Sequence, residues 1–155
     1  MVNEKDFLYF DISVGRIRII SKYIGLNDTR VEVPAKIDGV KVLEIGQDAF
    51  NSHKEIKEVI IPEGIEIISN FAFAGCSNLE KIFLPESIRR IGSYAIVRNN
   101  SFKHIVFSGT KEQWDTIVSQ NRELGGAKVK FNHPSKLSDF LNNCKDRNAE
   151  EIRKE

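Results

Sequence analysis

Two stretches of this chain superimpose without a gap at a spacing of 23 residues. That regularity restricts the fold more than any other property, because a period of this length is the mark of a stacked, repetitive architecture. Residues 59–81 and 82–104 share Pro62 with Pro85, Ile65 with Ile88, Ile68 with Ile91, Ala72 with Ala95 and Leu79 with Phe102. The pattern extends backward, where Ile45, Ala49, Phe50 and Ile56 stand 23 residues before Ile68, Ala72, Phe73 and Leu79. Pro34 stands 28 before Pro62, so the first copy carries five additional residues within Lys36-Ile-Asp-Gly-Val-Lys-Val42. Asp38-Gly39 between alternating apolar residues predicts a two-residue hairpin there. Ile105-Val-Phe107 opens a fourth copy that then departs from the pattern.

Each copy has a physical reading. Leu79, Ile82 and Leu84 alternate inward on a short strand, closed by a proline that cannot donate to a continuing ladder. A second strand follows, with Ile65 and Ile68 facing in. Asn70-Phe-Ala-Phe73 then predicts a helical turn, capped by Asn70 or, one copy earlier, by Asp48. Ala72 suits a crowded backbone, Phe73 and Phe50 fill the layer, and Gly75, with Asn51 and Asn99 nearby, turns the chain. One such rung cannot bury its own apolar face, whereas stacked rungs share a continuous core. The predicted fold is α+β: a short solenoid of 23-residue repeats, each made of short strands and a helical turn.

The ends of a solenoid need covers. Phe10, Ile12 and Val14, then Ile17 and Ile19 after Gly15, predict an N-terminal β-hairpin cap. Thr110 to Ser119 predicts a short helix with Thr110 as its cap and Trp114, Ile117 and Val118 on one face, and Ala127 to Phe131 predicts a last strand. Beyond His133-Pro134 the composition changes. Leu137, Phe140, Leu141 and Cys144 follow the i, i+3, i+4, i+7 spacing of an amphipathic helix. The domain reading is therefore a capped solenoid over 1–133 and a C-terminal helical tail over 134–155, docked or free.

This pattern resembles the BspA-type leucine-rich repeat. The residues that carry the likeness are Val59-Ile-Ile-Pro62, Ile68-Ser-Asn-Phe-Ala-Phe-Ala-Gly-Cys-Ser-Asn-Leu79 and Ile91-Gly-Ser-Tyr-Ala95. Tyr23-x-Gly25 leading to Val31-Glu-Val-Pro34 is similar to the family's first repeat, and Phe107-Ser-Gly-Thr-Lys-Glu-Gln-Trp-Asp-Thr-Ile117 to its ending. The resemblance implies a bacterial protein with a repeat solenoid and a role in adhesion or protein binding; it implies no catalytic motif.

Composition removes several other classes. The formal net charge is +1, from 23 basic and 22 acidic residues, which disfavours a nucleic-acid partner. The one cationic set worth naming is Arg89, Arg90, Arg98, Lys103, Lys128 and Lys130. No apolar run reaches the roughly 18 residues of a membrane span, and Glu4, Asp6 and Asp11 interrupt any secretory signal at the start, so the expected location is the cytoplasm if the chain is complete and the cell surface or exterior if a signal was removed. Cys76 and Cys144 are read as small buried residues, His53 and His104 as surface residues, and Glu66 and Arg89 as a cross-rung surface pair. His53, His104 and His133 are scattered, and no nucleophile motif, phosphate loop or metal spacing occurs. The expectation is a chain without enzymatic activity, cofactor or metal.

One feature stands out. On the first strand of each rung the residue between two inward positions faces out, and these residues are Glu32, Ile60, Phe83 and Val106. The last three form a predicted exposed apolar column, flanked by Lys57, Glu58, Lys81, Lys103 and His104. An apolar centre with a charged rim is the anatomy of an interface. The predicted partner-binding set is Ile60, Phe83, Val106, Glu32, Glu58, Lys81 and His104, in a protein-interaction module, in narrower form a small intracellular modulator of another protein. A structural or adhesive fragment of a surface protein is the alternative. Two further expectations stay open: a homo-oligomer formed through the column, and a tail helix that covers it.

Overall fold

The 23-residue period becomes a strand register. The structure is a computed structural model that describes residues 2–12, 16–121, 123–124 and 127–131. After a 3-10 turn at Glu4–Asp6 come β1 (Phe7–Ile12), β2 (Ile17–Tyr23), β3 (Arg30–Glu32), β4 (Lys36–Ile37), β5 (Val40–Ile45), β6 (Glu58–Ile60) and β7 (Ile67–Ile68). β8 (Lys81–Leu84), β9 (Arg90–Ile91), β10 (His104–Phe107), α1 (Lys111–Gln120) and β11 (Val129–Phe131) complete the order. The first sheet runs β3-β6-β8-β10-β11, all parallel; the second runs β1-β2-β5-β7-β9, with β4 antiparallel against β5. Across the first sheet Val31 pairs with Val59, Val59 with Ile82, Ile82 with Ile105 and Ile105 with Val129. Residue 129 stands 24 after 105, so the last strand is a fifth layer that a strict 23-residue comparison misses.

Between the sheets lies one core. Val59, Ile82 and Ile105 face Ile45, Ile68 and Ile91 across it, all buried. The rungs are also joined by rings: Tyr23 stacks on Phe50 at 5.1 Å and Phe50 on Phe73 at 4.8 Å between centroids. Ala49, Ala72 and Ala95 are buried where turns of successive rungs touch.

The predicted helical turns do not form. The chain at Asn70–Phe73 is a turn whose backbone bonds run between rungs: Phe50 N–H donates to Ala72 O, Phe73 N–H to Ala95 O and Ser52 N–H to Ala74 O. A donor committed to the next rung cannot also close an i→i−4 ring. Asp48, with φ of 57°, lacks the extended backbone of an N-cap, and Asn70 Oδ1 accepts from Ser93 N instead. Each turn holds two left-handed residues, Asp48 and Ser52, then Phe71 and Gly75, then Tyr94 and Arg98, and neither Asn51 nor Asn99 is among them. Asn99 Nδ2 donates to Phe73 O.

The hairpin predicted at Asp38-Gly39 is present, with φ of 46° and 77° at its two turn residues, as a type I′ turn requires. The N-terminal hairpin is present as well, β1 lying antiparallel to β2, but its inward side differs from expectation. Leu8 and Phe10 are exposed on an edge strand, while Phe7, Ile20 and Tyr23 enter the core. With Phe7 inward, the alternation along β1 turns Leu8 and Phe10 outward, and the register shift beside Leu8 leaves Ser21 of β2 as the extra residue. Arg18 is buried and clamps this end: it bonds Asp11, Asp38 and the carbonyl of Ile37, and its guanidinium lies 4.0 Å from the Tyr9 ring centroid.

At the other end α1 is capped by Thr110, whose hydroxyl accepts from Gln113 N while Gln113 reaches back to Thr110 N. Trp114 and Ile117 are buried, and Asn121 Nδ2 donates to the carbonyls of Ile91 and Gly92, tying the helix end to β9. The predicted tail helix over 134–155, with Cys144 and His133, lies outside the described residues.

Candidate functional site

Alternation along the strands of the first sheet sends every second side chain away from the core. Parallel pairing aligns these side chains into two rows. One row contains Glu32, Ile60, Phe83, Val106 and Lys130 in successive register. The neighbouring row contains Arg30, Glu58, Lys81 and His104. All seven residues predicted for the site therefore share one sheet face. Arg30 and Lys130, which the sequence reading left out of the site, lengthen the two rows; Lys130 was legible only by allowing the 24-residue step.

The rim is charged and partly paired. Lys81 Nζ lies 3.3 Å from Glu58 Oε1, and Arg30 3.6 Å from Glu32. His104 stands between Lys81 and the exposed Lys128 and Lys130. Burial, followed by the positive charges of Lys130, Lys81 and Lys103, holds its imidazole below the ordinary histidine value. It is half-buried, and not the plain surface residue expected.

The apolar centre is where expectation fails. Ile60, Phe83 and Val106 are 3%, 7% and 9% exposed, so the column is not an open ladder. Among the described residues these three cluster together, apart from the core between the sheets. Parallel strands are characteristically covered on both faces, and β6, β8 and β10 follow that rule.

Other candidates resolve into structure. His53 is half-buried, with Nδ1 2.8 Å from Glu55 and Nε2 2.9 Å from Tyr23 O, and its ring packs on Tyr23 and Phe50; it ties two rungs together and is not a surface residue. Burial opposes ionisation of Glu55, yet the His53 bond and a backbone hydrogen bond together outweigh it and hold the carboxyl below its usual range. Cys76 is a buried free thiol bonded to Phe50 O, and burial pushes it up to about 12. Glu66 and Arg89 do pair across rungs, at 3.6 Å and largely in solvent. The cationic set divides: Arg90 is in the second sheet and Arg98 on a turn, whereas Lys103, Lys128 and Lys130 lie beside the first sheet. Among the described residues no group of His, Cys, Asp and Glu converges as a metal site, and no helix is long and apolar enough to cross a membrane.

Sequence reasoning also missed an exposed aromatic pair. Phe71 and Tyr94 stack at 5.4 Å, 37% and 50% exposed, both with left-handed backbone. Their spacing of one repeat was the available signal.

Stacked parallel strands, inter-rung turn bonds and an internal aromatic ladder define a leucine-rich-type repeat protein. Residues 31–145 match the BspA type Leucine rich repeat region in six copies, and the chain belongs to that family. Its structure is similar to that of a leucine-rich repeat protein of T. pallidum, with TM-score 0.64 and 29% identity over 68% of this chain and 52% of that one. It is also similar to a leucine rich cell surface protein of Faecalibacterium prausnitzii A2-165, with TM-score 0.59 and 22% identity over 68% of this chain and 29% of that one. The chain spans about half the length of the first structure and less than a third of the second. No curated protein matches it significantly in sequence. None of these likenesses supports the narrower reading of an intracellular modulator.

Proposed function

We propose that this chain is a protein-binding module whose docking face is the outward side of the first sheet. Ile60, Phe83 and Val106 are the apolar anchors, and Glu32, Glu58, Lys81 and His104 the polar rim. The supporting observation is an apolar row that the core between the sheets does not use, set at the same position in three successive rungs. Rungs need inward residues to stack, whereas nothing in the stacking requires an isoleucine, a phenylalanine and a valine on the opposite side. A row of this kind accepts an apolar segment, and the mixed charges around it select which one.

The test is affinity capture from host extract with the wild-type chain, Phe83→Glu and Tyr94→Glu as baits, each confirmed folded by circular dichroism. The partner recovered is then titrated against all three. Loss of a central anchor weakens binding at least about tenfold, and the substitution at Tyr94, on a turn outside the row, leaves it unchanged. Equal affinity for the wild type and Phe83→Glu would remove the docking face from this sheet. A matrix protein as the recovered partner would support the adhesive version of the same activity.

A further inference from the structure

The turns that close the rungs hold side chains the stack does not use. Phe71 and Tyr94, one repeat apart, have φ of 57° and 56°, and Arg98 has 59°. Left-handed backbone costs any residue with a Cβ, and a bulky one most of all. Stacking does not call for these side chains: the copy before Phe71 has Asp48 in the same conformation, and the copy before Arg98 has Gly75. Phe71 and Tyr94 also stay out of the core, their rings exposed and stacked on each other. Strain held with no gain in packing is characteristic of backbone that presents a ligand contact.

These residues line one groove of about 410 Å³, a size within the range of ligand sites. Phe71 and Tyr94 line it from one column of turn positions, Ser52, Gly75 and Arg98 from another, and Ala74 and Val97 add apolar surface. Arg98 is the one charged residue of the lining, and neither its guanidinium nor the Tyr94 hydroxyl has a partner among the described residues. The other polar groups are committed. Asn51 Nδ2 donates to Asp48 Oδ1 and Ser52 Oγ to Asn51 Oδ1, while the amides of Ser52, Phe71 and Gly75 bond the next rung. A sugar, with hydroxyls on every side, meets too few free partners here. An aromatic side chain beside one carboxylate needs only Arg98. Three rungs at about 4.8 Å between layers span about 10 Å, the length of about three extended residues.

We propose that this groove binds an extended acidic peptide segment of another protein, with an aromatic side chain against Tyr94 and Phe71 and a neighbouring aspartate or glutamate on Arg98. A guanidinium meets a carboxylate through two parallel bonds, which fixes the direction in which the segment lies. The groove shares no residue with the row of Ile60, Phe83 and Val106, so the two sites stand or fall separately.

The test titrates the full, isotope-labelled chain by nuclear magnetic resonance with three capped tripeptides: acetyl-Tyr-Asp-Tyr-amide, acetyl-Tyr-Lys-Tyr-amide and acetyl-Ala-Asp-Ala-amide. Glucuronate is the fourth probe. The expected result is a saturable shift of the Ala74, Gly75, Val97 and Arg98 amides with the first peptide, at least about tenfold tighter than with the other two. Arg98→Gly and Tyr94→Ala should each weaken that binding at least about tenfold. Neither loss is an effect of unfolding, since glycine relaxes the left-handed backbone at position 98 and the Tyr94 ring is half exposed. Phe83→Glu should leave the affinity unchanged. Equal binding of the lysine peptide or of the alanine peptide, or full affinity in Arg98→Gly, overturns the proposal. So does the absence of saturable shifts at these four amides, including the case in which the shifts fall on Lys81 and His104 of the first sheet. A loss of affinity with Phe83→Glu would place the peptide on the row and also overturns it. Saturation by glucuronate without a response to the first peptide would make the groove a site for acidic sugars and remove the peptide.

Discussion

Replacing Phe73 with alanine removes a ring that is wholly buried and stacked on Phe50 at 4.8 Å. A buried aromatic side chain takes roughly 150–250 Å² out of water, and at about 25 cal/mol per Å² this is an upper figure of about 4–6 kcal/mol. Measured aromatic-to-alanine losses in cores run at about 3–5 kcal/mol, and the site has little room to collapse because inter-rung bonds from Phe73 and Phe50 pin the turns. The expected loss is therefore about 4 kcal/mol, or roughly 8–16 °C in Tm for a chain of this size. Tyr94→Ala is the matched control. Its ring is also stacked, on Phe71 at 5.4 Å, but half exposed, and its removal should cost no more than about 1 kcal/mol. Urea unfolding followed by far-ultraviolet circular dichroism reads both. A reduced slope for Phe73→Ala alone would show the rungs on either side unfolding separately, as nearest-neighbour coupling in a stack predicts. If Tyr94→Ala costs as much as Phe73→Ala, burial between rungs is not what holds the stack.

Three further outcomes follow from particular residues. Gly75 has φ of 69°, and a Cβ there would lie 3.3 Å from Ser52 Oγ, so Gly75→Ala should lose about 1 kcal/mol, whereas Arg98→Gly at the equivalent left-handed position should gain up to about that much in thermal melts. Asp38 is held below the usual carboxylate range by its bond to Arg18 and then by that to Tyr9. A depressed folded value means stability present above the unfolded pKa, near 4, and lost as pH falls through the folded one; Asp38→Asn should flatten the acid limb of a stability–pH curve, and an unchanged limb would refute the clamp. Cys76 should resist alkylation at pH 8 in the folded chain and react once unfolded, and rapid native labelling at that residue would contradict its burial.

Much of the architecture was legible because period and register are the same quantity here. Pro62/Pro85 and Ile68/Ile91 locate the strands and Asp38-Gly39 the inserted hairpin, since each of those residues acts locally. The turns were misread because Asn70-Phe-Ala-Phe73 looks helical in isolation, and only the neighbouring rung reveals where its N–H groups go. The side assignment of Phe10 failed because Phe7, which precedes the Phe10–Ile12 alternation, is the residue that enters the core and sets the inward side of β1. The site's placement was legible from strand alternation. Its burial was not, because a pattern says which way a side chain points and never what lies on top of it.

The inserted hairpin has a consequence for how such chains can change. Val31 and Val59 are paired although 28 positions separate them, while the next partners are 23 apart. The extra length is absorbed wholly at the β4–β5 corner, and the layers above it stay in step. Each layer thus works as a shelf of fixed depth with one free edge, where a stretch of foreign sequence can be hung without disturbing the shelves on either side. Recombination or a protein engineer could add a new recognition loop at that edge and leave the stack itself unaltered.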